Sequence, residues 1–550
     1  MPPWLAPLSA VVGGSGLIGL HALRFGSWIV DDAAITFAYV RSIAQGDGPV
    51  LQPGAGPTEG FSNPSWLALL TVGRLVGLFD HGTILGVPDY VFFPKALALL
   101  CCAGILVAIY WAARDVAKRP ALVTFLAGAL LAAIPSFVVW CFSGLENPLY
   151  ALVVTWLGAI MFKATVEDRL LTTRIALVAG ALAAVAALTR PDGLIYGGAY
   201  PLVVLIQIRR ATLRHGLRSV LVAVAAFAVI VGAYITWRYL EFGRLTSLPT
   251  VAKGQSLPHP SNLARAGELI GYVGALGALI LAILIGMVMM RPSALRTAIV
   301  SFLVPLALAV TAYSVLAPDW MAQLRFATPV WVLVVIASVL CGEAVFRQFT
   351  PRGRTVLAAG VVLALVPAWS LFKGASDGFR AAPTVPMCTI AERPSRVDNV
   401  YADILGIQQG SLLTADVGAT ALTSRLRIID LAGLSDSAMA DFWADHRWDD
   451  LTDYVFDTVK PTFIEQHSPW SDGVKVSTDP RLIRDYVMIR REAGPPETAD
   501  WVRKDAVPTQ AKLEQLRAYG MGDGSAAVAR AFDAPLRACG DTLRPGQWPS

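Results

Sequence analysis

From the N-terminus to about Phe372 the chain alternates long apolar blocks with short polar interruptions, and then its character changes. A helix needs about 20 predominantly apolar residues to cross the hydrocarbon core of a bilayer. Blocks of that kind cover 8–28, 91–111, 121–139, 147–163, 175–190 and 193–208. They continue over 217–238, 269–290, 297–317, 328–346 and 355–372, which predicts about eleven transmembrane helices. Over 373–550 polar and apolar residues mix as they do in a water-exposed domain. Strand-like runs there read SLLTADVG, LRIIDLAG and KPTFIEQH, and helical stretches lie around 501–519 and 525–537. The pattern predicts a mainly α membrane protein, with a transmembrane domain over 1–372 and a mixed α/β domain over 373–550.

Charge sets the orientation. One alternating set of loops carries Arg114, Lys118 and Arg119, then Lys163, Arg169 and Arg174, then Arg209, Arg210, Arg214 and Arg218. It ends with Arg291 and Arg296, then Arg347, Arg352 and Arg354. Short basic loops stay in the cytoplasm. The N-terminus is therefore expected on the cytoplasmic side of the membrane and the C-terminal domain outside it. Residues 64–79 are apolar but short and contain Arg74; counted as a span they would invert every later loop. They are expected to form an interfacial or re-entrant helix.

Composition narrows the classes. Hydrophobic residues are 55% of the 550 and charged residues 15%, against about 25% charged in a soluble chain. A scattered net charge of +5 with no basic run gives no nucleic-acid footprint. The six cysteines form no CxxC pair, so no zinc or redox motif is expected. Cys388 and Cys539 lie near the two ends of the outer domain, where an oxidising compartment favours a disulfide; two free thiols are the alternative. Cys101, Cys102, Cys141 and Cys341 fall in or at the ends of spans and read as small packing residues.

With this topology the unusual polar residues gather on the outer side. The first outer loop reads DDAAITFAYVRSIAQGDGPVLQPGAGPTEGFSNPSW and carries Asp31, Asp32, Glu59 and Asn63. Two adjacent carboxylates at a membrane boundary repel each other and lose hydration, which raises a pKa and suits a general base toward a hydroxyl. A helix cap or ordinary interfacial charge is the structural alternative. Other outer loops contribute Glu146 in SGLENP, Arg190 and Asp192 in TRPDG, and Lys253 in LTSLPTVAK. The loop APDWMAQLRF adds Asp319, Trp320 and Arg325. Outer cations run against the inside bias and point to a local anion, such as a lipid-linked phosphate; contact with lipid headgroups is the alternative. Trp66 and Trp320 read more simply as aromatic-belt anchors. His467 reads as a structural or surface histidine, and the sequence shows no P-loop or HExxH motif.

The order DDAAITFAYVRSIAQGDG…GPTEGFSNPSW, SGLENPLY, ALTRPDGLIY, PDWMAQLRF and TADVGA…IIDLAGLSD resembles the family of mycobacterial arabinofuranosyltransferase B, within the GT-C superfold. The resemblance runs from about Val30 to about Trp470. It implies a GT-C type helix bundle and transfer of a sugar, arabinofuranose, from a polyprenyl phosphate donor to an arabinan-like glycan outside the membrane. It places the catalytic acids at Asp31 and Asp32, one as general base and the other orienting the sugar or acceptor. Glu59, Asn63, Glu146, Arg190, Asp192, Lys253, Asp319, Trp320 and Arg325 are then substrate-binding candidates. The chain reads SLPTVAK where family members often carry an Asn-Thr pair before the loop lysine. No metal ligand set is assigned; a divalent cation between the acids is compatible with the chemistry. Two other readings stand beside this one: a related transferase for mannose or aminoarabinose, and a transporter or flippase. A transporter places its breaks near the bilayer midplane in repeated halves, whereas here they fall at outer helix ends.

Overall fold

Proline and glycine decide which apolar blocks become single helices and which break. In a computed structural model describing residues 4–254, 260–492 and 497–546, each of the eleven blocks is helical. Among the described residues seven helices are long and apolar enough to cross a membrane: Leu5–Leu23, Asp89–Ala113, Asn147–Val166, Arg210–Phe242, Ala294–Val315, Arg325–Phe346 and Pro351–Ala381. Two further pairs bend sharply, Pro120–Ala133 with Pro135–Cys141 by 84° and Ser261–Val273 with Ala275–Met289 by 102°. Each bend has a local cause. Pro135 lacks an N–H and holds Ile134 extended at ψ 105°, and Gly274 takes φ 83°, ψ 139°. The fifth and sixth blocks give shorter helices, Thr173–Thr189 and Ala199–Gln207. Residues 64–79 supply the helix Pro64–Leu75. At 12 residues and about 1.5 Å per residue it falls well short of a roughly 30 Å core.

The chain divides into two compact units that interleave in sequence. Unit 1 comprises Met1–Gly26, Lys95–Ile235 and Ser256–Thr384; unit 2 comprises Ser27–Pro94, Thr236–Gln255 and Val385–Ser550. Composition changes once, near Phe372, whereas compactness changes at several points, because unit 2 recruits the first outer loop and part of the loop holding Lys253. Unit 1 is the helical one. Small residues let its helices approach closely: a Cβ on Gly128 would lie 2.6 Å from the Cα of Gly14.

Unit 2 contains a hairpin, β1 (Thr83–Ile84) with β2 (Val87–Pro88), and a five-stranded sheet. The sheet strands are β3 (Ser411–Thr414), β4 (Arg427–Asp430), β5 (Phe463–His467), β6 (Tyr486–Glu492) and β7 (Thr498–Arg503), in the order β4-β3-β5-β7-β6. β3 runs parallel to β4 and β5, and β7 antiparallel to β5 and β6. Leu413, Ile429, Ile464, Met439 and Leu451 belong to one buried cluster, each large side chain contributing about 1.5–3 kcal/mol on full burial. Cys388 and Cys539 form a disulfide with Cα atoms 4.9 Å apart.

Candidate active site

Asp31 and Asp32 open the helix Asp31–Gln45, where carboxylates favour the positive end of the helix dipole. Val30 just before them is extended and bridges Pro386. The Asp31 carboxylate is buried and accepts hydrogen bonds from the backbone N–H groups of Gly418 (3.1 Å) and Ala419 (2.8 Å), at the start of the short helix Gly418–Thr423. Glycine is required at 418: a Cβ there would lie 2.1 Å from the Asp31 carbonyl oxygen and 2.5 Å from Oδ2. Burial raises the Asp31 pKa well above the usual carboxylate range, helped by Asp416 and Asp32, while the Ala419 and Gly418 N–H groups pull the other way. Asp32 is partly exposed. The pair is thus divided into a buried member and a partly exposed one.

The sheet brings further chemistry to the same place. β3 leads to β4 on one side of it, while β5 leads to β6 and β7 on the other, so the C-terminal ends of β3 and β5 flank a topological switch point, the usual ligand crevice of an open α/β sheet. Leu413 pairs with Ile464, so in the same parallel register Glu465 lies beside Thr414 one residue on, and His467 lies beside Asp416 two residues beyond that. His467 Nδ1 and Asp416 Oδ2 are 2.9 Å apart, and Thr414 Oγ1 donates to Glu465 Oε2 at 2.5 Å. Burial alone would lower the His467 pKa, but the hydrogen bond and charge of Asp416 raise it overall; Asp416 is correspondingly held low by His467, against its own burial. Asp416, Glu465 and His467 offer ligand atoms within 4.8 Å of one another, the donor set of a divalent ion. Arg393, 3.0 Å from Glu465, already supplies that cluster with a counter-charge.

The structure places the remaining candidates in two sets. In unit 2, Glu59 is buried and ion-paired with Arg238 at 2.5 Å, and its carbonyl receives Leu248 N–H. Asn63 is buried against Thr36, with side-chain contacts of 3.3 and 3.4 Å. Lys253 caps the helix Leu248–Ala252 and is exposed.

In unit 1, Pro191 holds Arg190 extended (φ −151°, ψ 144°) and ends the helix Thr173–Thr189. The buried guanidinium of Arg190 donates to Glu146 Oε1 and to Asp192 Oδ1, both at 2.9 Å, and Tyr150 donates to Asp192 Oδ2 at 3.2 Å. Gly193 permits this turn, since a Cβ would lie 2.1 Å from the Ala186 carbonyl oxygen. Arg325 pairs with Asp319 at 2.6 Å. Both guanidiniums lie over the ring of Phe326, at 4.7 Å for Arg190 and 5.0 Å for Arg325. Trp320 is exposed. Glu146, Arg190, Asp192, Asp319 and Arg325 therefore form ion-paired clusters with three carboxylates to two guanidiniums, and the arginines read from the sequence as facing an anion hold carboxylates. Sequence reasoning missed Glu465, Arg393 and the Asp416–His467 pair. The strand period in TADVG and KPTFIEQH was the available signal, but strand pairing is not written in either segment alone.

No protein-family model and no curated protein matches the chain. Among solved structures it is similar to ArnT from Cupriavidus metallidurans in the apo state, with a TM-score of 0.58 and 14% identity over 91% of this chain and 99% of that one. The same protein bound to undecaprenyl phosphate gives a TM-score of 0.55 and 15% identity, over 92% and 99%. The apo oligosaccharyltransferase of Archaeoglobus fulgidus gives 0.50 and 10%, over 94% and 78%. Arabinofuranosyltransferase AftD from Mycobacteria gives 0.44 and 14%, over 90% of this chain and 40% of that one. At such identities a likeness speaks to architecture alone, and on the ArnT comparisons the chain adopts the GT-C fold.

Proposed function

We propose that this protein is a membrane glycosyltransferase that moves a sugar, arabinofuranose, from a polyprenyl phosphate to a cell-wall or lipoglycan acceptor on the outer face of the plasma membrane. The observation that carries this reading is the divided acid pair. Asp31 is held by two backbone amides, and its neighbour Asp32 is partly exposed beside it. The likeness to ArnT bound to undecaprenyl phosphate supports a lipid-phosphate donor. The ordered motifs that resemble the arabinofuranosyltransferase B family support arabinofuranose. The Cys388–Cys539 disulfide suits an extracytoplasmic outer domain with the N-terminus inside.

In this mechanism Asp32 is the general base and Asp31 the positioning residue. The acceptor hydroxyl oxygen attacks the anomeric carbon and its proton passes to Asp32. The bond from that carbon to the phosphate oxygen breaks, and the polyprenyl phosphate leaves with the electron pair. Attack opposite the leaving group inverts the anomeric centre. Lys253, exposed in unit 2, is assigned to the donor phosphate, where a cation stabilises the departing charge. Asp416, Glu465 and His467 are the residues that would hold a divalent ion, which would add Lewis-acid stabilisation of that charge.

The test is transfer in isolated membranes from a panel of radiolabelled polyprenyl-phosphate sugars to arabinan and mannan oligosaccharides. Arabinose is expected on the arabinan. Transfer of mannose and not arabinose would overturn the assignment of the sugar, and transfer unchanged in Asp32→Asn protein would overturn the mechanism.

A further inference from the structure

Unit 2 contains a second feature that the transfer mechanism does not use. An open cavity of about 1340 Å³ runs along the β4 edge of its sheet, larger than the roughly 300–1,000 Å³ of a small-molecule pocket. Its wall includes Ala38, Arg41 and Gln45 of the Asp31–Gln45 helix. At about 1.5 Å per residue these lie roughly 10–21 Å along that helix from Asp31. The helix Gly418–Thr423 presents N–H groups to Asp31 from its first turn and Ala421 to the cavity from its last.

The lining is polar and cationic. Six cationic side chains and two carboxylates line the cavity. Arg427 and Lys460 are exposed and, among the described residues, make no ion pair within 4.0 Å. The two acids have other partners, and Asp436 also has a charge interaction with Arg427. Asp430 accepts from Ala432 N–H, Ser435 N–H and the Ser435 hydroxyl, and Asp436 caps the helix Ser437–Asp445. The amides of Gln45, Gln408 and Gln409 and several hydroxyls complete the surface, groups that donate to and accept from a polyhydroxylated ligand.

Two other kinds of polymer fit poorly. A peptide adding itself to the sheet needs an open strand edge. Here the Gln52 side chain takes that place, its Oε1 accepting from Ile428 N–H at 3.0 Å and its Nε2 donating to the Leu426 carbonyl at 3.3 Å. Single-stranded nucleic acid needs a run of aromatic platforms, and Tyr454 is the one aromatic side chain lining the cavity among the described residues. From the volume, the amides and the surplus of cations, we propose that this groove binds an oligosaccharide chain bearing an anionic group, phosphate or carboxylate. The inference goes beyond the transfer reading and needs no donor.

The test is equilibrium binding of fluorescent phosphorylated mannopentaose, and of the same sugar dephosphorylated, to the full chain in uncharged detergent without donor lipid. The phosphorylated probe is expected to bind about tenfold or more tighter. Arg427→Gln and Lys460→Gln are each expected to weaken it about threefold, as for exposed charges, and added salt to weaken it further. Arg427→Lys should restore binding, and because both side chains are exposed the thermal midpoint should not move. Equal affinity for the two probes, or full affinity in the Arg427→Gln/Lys460→Gln double variant, would overturn the proposal. So would displacement of the probe by phosphatidylglycerol vesicles, which would assign the groove to lipid headgroups. Loss of sugar transfer in a protein that still binds the probe would count against the transferase reading alone.

Discussion

Asp31 and Gly418 are in contact across 387 residues of sequence, the backbone N–H of the glycine donating to the carboxylate of the acid. Gly418→Ala would drive a methyl group into that carboxylate and the adjoining carbonyl. An overpacked contact costs about 1–3 kcal/mol. The expected outcome is a lower thermal midpoint together with reduced transfer, read by a melting curve and the membrane assay on the same preparation. A stable, fully active Gly418→Ala protein would show that the Asp31 anchor is dispensable.

The two acids should separate in their phenotypes. On the proposed mechanism Asp32→Asn removes the general base and should lower kcat by about 100-fold or more, while the two amide contacts of its neighbour Asp31 stay in place. Asp31→Asn keeps an acceptor for one amide but turns an N–H toward the other. A buried donor left without an acceptor costs about 1–3 kcal/mol, so this variant should lose stability as well as rate. Melting curves beside initial rates make the comparison.

The Asp416–His467 pair gives a pH signature. Asp416 raises the His467 pKa above 6.5, so the histidine's contribution to stability is complete below about pH 6.5 and is lost as pH rises through its folded value. Asp416 is held below 3.8, so its contribution exists above about pH 3.8 and is lost as pH falls through its folded value. The gap in thermal midpoint between the native protein and His467→Gln should therefore be widest between these limits and narrow toward alkaline pH. A gap that is flat across pH would mean that the pair carries no charge coupling.

In unit 1, Arg190→Ala leaves the buried Glu146 and Asp192 without their shared cation, a change of about 3–5 kcal/mol. Arg190→Lys should recover part of this and not all, because an ammonium lacks the planar fork that meets both carboxylates. Yield of folded protein in detergent and its melting point read both variants.

Reduction of the Cys388–Cys539 disulfide, or Cys539→Ser, should destabilise unit 2 by about 2–5 kcal/mol, since the bridge closes a loop with a sequence separation of 151. The melting point with and without reductant is the measurement, and Cys341→Ser serves as the control at a free buried cysteine.

Much of this architecture is legible in the sequence because it is local. A block such as 147–163 must be helical in a bilayer to satisfy its backbone, and it is. Pro191 after Arg190 and Gly193 two residues later mark a helix end as sequence, and the helix ends there. What stayed hidden depends on partners far away in the chain. SGLENP and TRPDG each show a charge, but nothing in either says that Arg190 donates to both Glu146 and Asp192. KPTFIEQH shows a strand, but only the β3–β5 register puts His467 beside Asp416. Even the bend at Pro135 is visible as a proline, while its 84° angle is not.

The interleaving of the two units also puts time into the assembly of the active site. Ribosomes add about 5–20 residues per second, so the 387 residues between Asp31 and Gly418 take roughly 20–80 s to make. Over that interval the acid pair has been synthesised and its amide partners have not. Strand β3, which leads into them, emerges only after the whole helical series. The candidate site is therefore completed late: on the proposed function, a nascent chain would carry its acids in an unformed site until the last third of the polypeptide has emerged.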